Sequence, residues 1–413
     1  MRPHPLLVVS AVCSLAGFGF AAFSTYDFAQ HLDRQVHGIH CSFLPGVTDT
    51  DVTGTSGCHL TLMSPYSSIW REALWGGLPI SLPAMSVFAF LVFWCSNLVL
   101  ARRQLDPRGT GFLVLAAGLP VAVSVVMGII SFFELDAACK VCIGIYVSSF
   151  GAFGAALALW LRARRLGQGR ATAATGEGAT LDAAPQMPTK ALAFAFAIGI
   201  VFVVIPVVAY ASLAPDFGRY VGACGSLTSV ASATDVLVAI GPQTRQRSVV
   251  EVLDPLCPAC RAFERRFDGL PAAAHVKRQA LLFPLDNQCN WMVDRPIHPG
   301  ACLVSEAILC AGDQAESVLD WAFDEQERIR EVAATDLTRA RRLITTRFPS
   351  LERCIGRPAV RARLNRALRW AVNNELPVLT PQVYVDGTRL CDADTDLGVE
   401  YTLSRLIERG SAR

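Results

Sequence analysis

Charged residues are scarce in this 413-residue chain. Only 17% of the residues are Asp, Glu, Lys or Arg, against about 25% in ordinary soluble domains, while 52% are hydrophobic. This shortage excludes a disordered or fibrous chain and argues against an enzyme that is soluble throughout. The formal net charge of only +2 gives no support to nucleic-acid binding, which needs a concentrated basic face.

The few charges are also unevenly distributed. Residues 1–160 hold 15 of them and the remaining 253 residues hold 57. Five charge-free stretches each exceed the ~20 residues that cross a ~30 Å hydrocarbon core as a helix; they are 6–26, 78–101, 109–133, 141–161 and 191–215. The first stretch has the alternative of a cleaved signal peptide, although no A-x-A-like site closes it cleanly. The sequence therefore predicts a multi-pass membrane protein.

The short loops favour one orientation of these spans. With the N-terminus inside, nine Lys and Arg residues fall on the inner side and three on the outer side, as the positive-inside rule requires. The predicted organisation is a membrane core at 1–165, a flexible cytoplasmic linker at 166–190, a fifth span at 191–215 and an extracytoplasmic domain at 216–413. We expect this chain in the inner (cytoplasmic) membrane of a bacterium.

The orientation places twelve of the fourteen cysteines outside, where disulfides persist. Cys13 and Cys95 lie within spans and are expected to be inert fillers. Six outer cysteines are expected to form structural disulfides, with Cys289 and Cys302 the pair suggested by proximity. The set is Cys224, Cys289, Cys302, Cys310, Cys354 and Cys391.

Cys257 and Cys260, called here the domain pair, stand between a predicted strand and a predicted helix. The run 249–253 reads as a buried strand, and Phe263 and Phe267 share one face of the following helix. The N-terminus of a helix stabilises a thiolate, so we expect Cys257 to be the attacking sulfur. A zinc knuckle is the alternative, but no second CxxC or histidine pair lies at suitable spacing.

Two further pairs belong to the membrane part. The span pair, Cys139 and Cys142, opens the fourth span and is expected to be redox-active, with a plain structural disulfide as the alternative. The loop pair, Cys41 and Cys58, is the only cysteine pair in the first outer loop. It acts in redox chemistry or as a structural disulfide that closes the loop. Four of the seven histidines share that loop and leave a metal site as a further alternative; they are His31, His37, His40 and His59.

Four spans, a loop cysteine pair and a CxxC at the head of the fourth helix resemble the vitamin K epoxide reductase family. The resemblance implies a membrane four-helix bundle and a quinone acceptor, with Ser64 and Tyr146 at the quinone site. The family's polar contact on the second span has Ser81 and Ser86 as candidates. Sixteen residues separate the cysteines of the loop pair, a longer interval than the family usually has.

The domain after the fifth span resembles DsbA-like thioredoxin folds, as in the bacterial fusion members of the family. The resemblance implies an α/β thioredoxin-like domain with a helical insertion, to which the helix-like run 318–372 corresponds. It also implies a buried acid at Glu251 that exchanges the proton of Cys260, and a cis proline at Pro381, after Thr380, that holds substrate backbone. The alternatives are a water-facing glutamate on an edge strand and an ordinary proline at a strand start.

These features predict a thiol relay. Electrons pass from reduced secreted or periplasmic proteins to the domain pair, then to the loop pair, the span pair and finally a membrane quinone, with ubiquinone and menaquinone left open. No metal and no nucleic acid is expected. Two alternative functions remain. One is an outward electron relay that keeps an outer reductase or isomerase reduced, and the other is a metal-binding membrane scaffold.

Overall fold

The computed structural model describes residues 3–35, 37–43, 50–51, 56–135, 137–173, 186–229, 236–241, 243 and 247–411. The chain divides into two compact units. The membrane unit comprises Met1–Trp70 and Gly77–Pro215, and the outer unit comprises Arg71–Gly76 and Asp216–Arg413. The predicted linker falls partly at 174–185, outside the described residues.

Five long apolar helices make up most of the membrane unit, one on each predicted span. The shortest has 20 residues, which at about 1.5 Å per residue is long enough for the hydrocarbon core. A short helix, α2, precedes the second of them. The helices are α1 (Pro5–Gln30), α2 (Gly57–Leu62), α3 (Ser81–Leu100), α4 (Pro107–Ile129), α5 (Lys140–Ala173) and α6 (Thr189–Leu213).

Four of the long helices pack together as a bundle. Helix α1 lies between α3 and α5, and α4 packs on both α3 and α5. Phe88 of α3 lies so close to α1 that a side chain at Gly17 would overlap its ring. Helix α6 packs on α3 and presents apolar side chains such as Phe196 and Ile205 outward. An apolar surface of this kind is what lipid covers, and the predicted membrane four-helix bundle with a fifth helix is confirmed.

Two small antiparallel ribbons complete the membrane unit. Strands β1 (Ile39–His40) and β2 (Thr50–Asp51) pair before α2, and β3 (Ser68–Ile69) pairs with β4 (Leu78–Pro79) after it. Ser56 is the N-cap residue of α2, and its side chain accepts a hydrogen bond from the His59 backbone N–H. Cys41 of the loop pair directly follows β1, and Cys58 lies in the first turn of α2.

The outer unit is built on a five-stranded sheet in the order β5-β7-β6-β8-β9. The central strand β6 pairs in parallel with β7 and antiparallel with β8, and its last five residues are buried, as predicted for a buried strand. The strands are β5 (Val238–Ala239), β6 (Arg247–Leu253), β7 (Val276–Leu282), β8 (Gln382–Val385) and β9 (Thr388–Arg389).

Helices cover both faces of this sheet. Side chains of α12 pack against Val250 and Val252 on one face, while α7 and α8 pack against Leu253 and Leu282 on the other. The thioredoxin-like domain with a helical insertion is confirmed, and the insertion begins at Ala301, before the predicted run. The helices are α7 (Pro258–Asp268), α8 (Ala301–Ala311), α9 (Ala315–Asp324), α10 (Gln326–Thr335), α11 (Leu337–Arg347), α12 (Pro358–Asn373) and α13 (Val399–Ser411).

A six-residue piece of the first predicted outer loop packs inside the outer unit. Trp75 is 3% exposed, and its indole N–H donates a 2.8 Å hydrogen bond to Asp394 Oδ1. The ring meets Phe217 edge-on at 5.2 Å, and a side chain at Gly398 would overlap it. Residues 71–76 are therefore an integral part of the hydrophobic interior of the outer unit.

We predict that Trp75→Ala destabilises the outer unit by about 3–5 kcal/mol, because it empties a buried indole site and leaves Asp394 without this donor. Amide hydrogen exchange of strand β6 in the full chain measures the loss. Trp291→Ala is the matched control, since Trp291 belongs to the same unit and is 52% exposed. Equal protection of β6 in the two variants would contradict the prediction.

Candidate redox centres

The domain pair lies where β6 gives way to α7. Cys257 is the N-cap residue of α7, and Pro258 occupies the first helical position, where its fixed φ suits the helix and its missing N–H costs nothing. Both sulfur-bearing residues are buried, Cys257 at 6% and Cys260 at 1% exposure. The predicted strand-to-helix junction is thus present, with Cys257 at the positive end of the helix.

The two thiols of the domain pair differ strongly in acidity. Hydrogen bonds from the Cys260 thiol, Thr380 and the Cys260 backbone lower the pKa of Cys257 to about 6, against burial and the charge of Asp254. Burial and the neighbouring Cys257 thiolate raise the pKa of Cys260 well above its usual value. Near neutral pH the nucleophilic sulfur is therefore Cys257, and Cys260 holds its proton.

The loop before β8 faces the domain pair. The Thr380–Pro381 peptide bond is cis, and the Cys257 thiol lies 3.7 Å from the Thr380 carbonyl oxygen, to which it donates. Backbone next to the attacking sulfur is available for a peptide substrate to align against. The arrangement agrees with the role that the resemblance gives to Thr380 and Pro381, which stays a prediction.

Sequence reasoning missed a buried His–Asp pair beside Cys257. Asp254, fully buried directly after β6, accepts hydrogen bonds from His298 Nδ1 at 2.8 Å and from the Leu285 backbone N–H. Burial by itself lowers the pKa of His298. The hydrogen bond and charge of Asp254, together with the charge of Cys257, outweigh burial, so the pKa of His298 is raised above its usual value. When it is protonated, His298 places a positive charge near Cys257 that favours the thiolate. No spacing pattern links His298 to the domain pair, because 44 residues separate it from Asp254.

Glu251 is 1% exposed on the central strand, so the alternative of a water-facing edge glutamate is wrong. Its Oε1 accepts a 2.9 Å hydrogen bond from Arg278 Nε. The same guanidinium pairs with Glu264 and Asp268. The sequence did not reveal this cation, because Arg278 comes from the neighbouring strand β7.

The membrane unit contains a mainly apolar cavity of about 300 Å³ beside its two cysteine pairs. Cys41 is bonded to Cys58, and Cys139 to Cys142. The span pair stands at the start of α5, where Cys142 N–H approaches Cys139 Sγ at 3.1 Å. The predicted site residues that line the cavity are Cys58, Ser64, Cys139, Cys142 and Tyr146, and Ser81 joins them.

Polar groups in this cavity are few. Ser64 Oγ donates to the Thr61 carbonyl at 2.8 Å, and Ser81 Oγ accepts from Thr25 at 2.9 Å. Among the described residues no hydrogen bond occupies the Tyr146 hydroxyl, which leaves it able to donate to a ligand. Of the two candidates on the second span, Ser81 lines the cavity, whereas Ser86 donates to the Leu82 carbonyl.

A second His–Asp pair, also missed from the sequence, lines the same cavity. Asp27, at the end of α1, accepts hydrogen bonds from His40 Nδ1 at 2.6 Å and from the His40 backbone N–H at 3.0 Å. His37 is likewise held by Asp33 at 2.8 Å. Within the described ranges no group of three His, Cys, Asp or Glu residues is placed to hold a metal ion.

The remaining cysteines of the outer unit form three disulfides, and the predicted Cys289–Cys302 pair is confirmed. Cys13 and Cys95 stay unpaired thiols within the membrane unit and have no disulfide partner there. The alternative function, a relay that carries electrons outward, requires cysteines that face each other within the spans. Cys13 and Cys95 therefore give it no support. The other two disulfides are Cys224–Cys391 and Cys310–Cys354.

Comparison with known proteins bears on both units. The family model described as "Vitamin K epoxide reductase family" matches residues 8–157. The membrane unit carries a domain of this family. The match supports thiol–disulfide oxidoreductase chemistry in the membrane unit, and the five long apolar helices there fit a multi-pass membrane protein.

Two solved structures are similar to part of the chain. The oxidoreductase DsbA from Xylella fastidiosa is 19% identical, with a TM-score of 0.31 over 43% of this chain and 92% of that chain. ScsC from Proteus mirabilis, in a transitional conformation, is 12% identical, with a TM-score of 0.30 over 54% of this chain and 98% of that chain. No curated protein sequence matches.

We predict that His298→Gln raises the pKa of the Cys257 thiol by about one unit, because the variant removes a cation that favours the thiolate. The thiolate fraction of the reduced domain pair then falls at neutral pH, and the pair becomes a weaker oxidant. Thiolate absorbance against pH in the full chain measures the shift. His275→Gln is the control, since His275 is exposed in the same unit; equal titrations of both variants would remove His298 from the site.

Proposed function

We propose that this protein makes disulfide bonds in secreted or periplasmic proteins and passes the electrons to a membrane quinone. The observation that carries the proposal is the mainly apolar cavity, which has the span pair in its wall and a tyrosine hydroxyl without a partner among the described residues. An apolar pocket with a few polar groups suits a quinone ring. The inner membrane of a bacterium is the proposed location.

The first step takes place at the domain pair. A substrate thiolate attacks Cys257 Sγ, the disulfide to Cys260 breaks, and a mixed disulfide forms. A second substrate thiolate attacks the substrate sulfur of that mixed disulfide, and Cys257 leaves as a thiolate. The low pKa of Cys257 makes it a good leaving group. Thr380 and Pro381 are proposed to align the substrate backbone during both attacks.

The later steps belong to the membrane unit. Electrons are proposed to reach the loop pair, then Cys139, and to leave through Cys142. Helix α2, which carries Cys58, approaches the span pair closely: Thr61 Oγ1 lies 3.9 Å from Cys142 Sγ. Cys58 of the loop pair lines the same cavity as both cysteines of the span pair, so the two pairs can exchange electrons by thiolate attack without a further carrier.

A quinone, when bound, supplies a two-electron, two-proton acceptor. Tyr146 is proposed to donate a hydrogen bond to a quinone oxygen, and Ser64 to hold the ring near the span pair. Asp27 orients His40 at the cavity wall, and this pair is suited to deliver protons there. The ring-binding and proton-delivering groups thus all come from the membrane unit.

The membrane orientation is part of the proposal. Nine basic residues on the predicted inner side against three on the outer side support an N-terminus in the cytoplasm. Five spans then place the outer unit outside, together with the loop pair. The proposed domains keep their predicted boundaries: the core at 1–165, the cytoplasmic linker at 166–190, the fifth span at 191–215 and the thioredoxin-like domain at 216–413.

The proposal is tested with the full chain in liposomes that contain a quinone and are given a reduced dithiol peptide. Cys142→Ser should abolish quinone reduction while the disulfides of the domain pair and the loop pair still accept electrons from at most two equivalents of peptide, whereas Cys257→Ser should abolish both quinone reduction and peptide oxidation. Cys260→Ser should trap a disulfide between Cys257 and the loop pair. Continued multiple turnover of peptide oxidation in Cys142→Ser, or quinone reduction without any trapped adduct, would contradict the relay.

Close contact between α2 and the span pair gives a further prediction. Gly57, directly before Cys58, packs against Ala138 so tightly that a side chain would overlap its backbone. We expect Gly57→Ala to push Cys58 away and to slow quinone reduction by roughly 10–10²-fold. Gly154→Ala is the control, because open space surrounds that glycine. Equal rates in the two variants would show that this contact does not limit electron transfer.

A further inference from the structure

The helical insertion of the outer unit contains a groove that takes no part in the thiol chemistry described above. The groove has a volume of about 510 Å³, with α9 and α10 on one side and α11 on the other. Trp321 and Ile329 belong to the first wall and Leu343 to the second. The half-buried Trp321 ring meets Phe348 edge-on at 5.5 Å, which holds it in place. The groove is therefore a preformed concave surface with an aromatic side chain in its wall.

Positive charge is concentrated along this groove. Among the described residues, four arginines and one glutamate line it, which gives a net charge of +3; they are Arg328, Arg339, Arg342, Arg347 and Glu325. We call it the arginine groove. Arg328 pairs with Glu325 at 3.2 Å. Arg339 and Arg342 are exposed, and within the described ranges no acceptor reaches either guanidinium group. Like charges held side by side repel each other, so the groove favours an anionic occupant.

Helix geometry places the unpaired arginines in a row. Arg339, Arg342 and Thr346 follow one another on α11 at intervals of three and four residues, so they share the face that lines the groove. Asp336, at the start of α11, is engaged as its N-cap and accepts from the backbone N–H groups of Thr338 and Arg339. A guanidinium group pairs with a carboxylate through two parallel hydrogen bonds. A row of such groups suits a chain with several carboxylates better than a single small anion.

Helix α10 lies between the arginine groove and the domain pair. Arg261, directly after Cys260, donates to Glu327 of α10 at 3.1 Å. Ile329, which lines the groove, shares a hydrophobic cluster with Cys257 and Cys260. A helix with its side chains is about 10 Å wide, a distance that about three residues of extended chain cover. A polypeptide bound in the groove therefore needs only a short further stretch to bring a cysteine to the domain pair.

We propose that the arginine groove binds acidic segments of the polypeptides whose cysteines the domain pair oxidises. The inference rests on the proposed function, because it takes the occupant to be the substrate itself. Carboxylates of the segment pair with Arg339 and Arg342, while Trp321 packs against its apolar atoms. A chain held there presents its thiol to Cys257 at a higher effective concentration. An anionic lipid headgroup also carries charge, but it brings no thiol to the domain pair.

Direct binding tests the arginine groove separately from the chemistry. The probe is a fluorescently labelled peptide that contains a run of glutamates and no cysteine, added to the full chain in phosphatidylcholine vesicles. Arg339→Gln/Arg342→Gln should raise the Kd by about 10-fold, as expected for the loss of two exposed charge pairs. Arg353→Gln/Arg369→Gln is the matched control, because both arginines are exposed in the same unit and lie outside the groove. Equal Kd values for the two double variants would overturn the proposal.

Competition against the bound probe separates a polypeptide from a lipid headgroup as the occupant. An unlabelled glutamate peptide should displace the probe from the wild-type chain. Glycerol 3-phosphate, which carries the charge of a headgroup alone, should leave the probe bound at the same ionic strength. Displacement by glycerol 3-phosphate but not by the glutamate peptide would assign the groove to lipid and contradict the proposal.

The kinetic test compares two dithiol peptides that differ only in a tail of glutamates or glutamines, set about three residues from the cysteines. In the wild-type chain the glutamate tail should lower the KM by about 10-fold and leave kcat unchanged. Arg339→Gln/Arg342→Gln should remove this advantage without altering the reaction of the glutamine-tailed peptide. Equal KM values in the wild type would refute the role of the groove alone. Tight binding of the cysteine-free probe with neither dithiol peptide oxidised would instead refute the proposed function.

Discussion

A negative charge confined to Cys257 is the condition on which the chemistry of the outer unit depends. The sulfur sits at the N-terminus of α7 and accepts hydrogen bonds, which together make its thiolate stable near neutral pH. Cys260, one turn further along, is deeper in the core, where burial keeps it protonated. The difference in acidity decides which sulfur meets the substrate and which one must lose and regain a proton.

Buried charged residues surround the domain pair, whose two thiols differ in acidity. Asp254 and His298 lie beside the sulfur that carries charge. Glu251 and Glu264 are buried in the same unit, where they share the guanidinium of Arg278. Each group of buried charges is paired, because an isolated ion in an apolar core would be too costly to keep. The thioredoxin-like fold thus holds two different electrostatic environments within one turn of helix.

The membrane unit places its cysteine pairs in a different environment, beside a mainly apolar cavity. Its cavity is walled mainly by apolar side chains, and the span pair stands at the edge where α5 begins. Gly57 allows α2 to pack directly against the backbone before Cys139, so the loop pair and the span pair approach each other. A helix bundle whose outer surface is apolar keeps this chemistry within reach of lipid-soluble molecules.

Local features of the sequence determined the membrane helices, the three cysteine pairs and the thioredoxin-like domain. Charge-free length and a CxxC spacing depend on neighbouring residues, and they suffice to identify a span or a helix start. The tertiary structure alone decided which polar and charged groups pair in the interior of the outer unit. Arg278 is 27 residues from Glu251, and Trp75 is 319 residues from Asp394. Such contacts form only when distant segments pack, because the burial of a charge or an indole is a property of the folded core and not of local spacing.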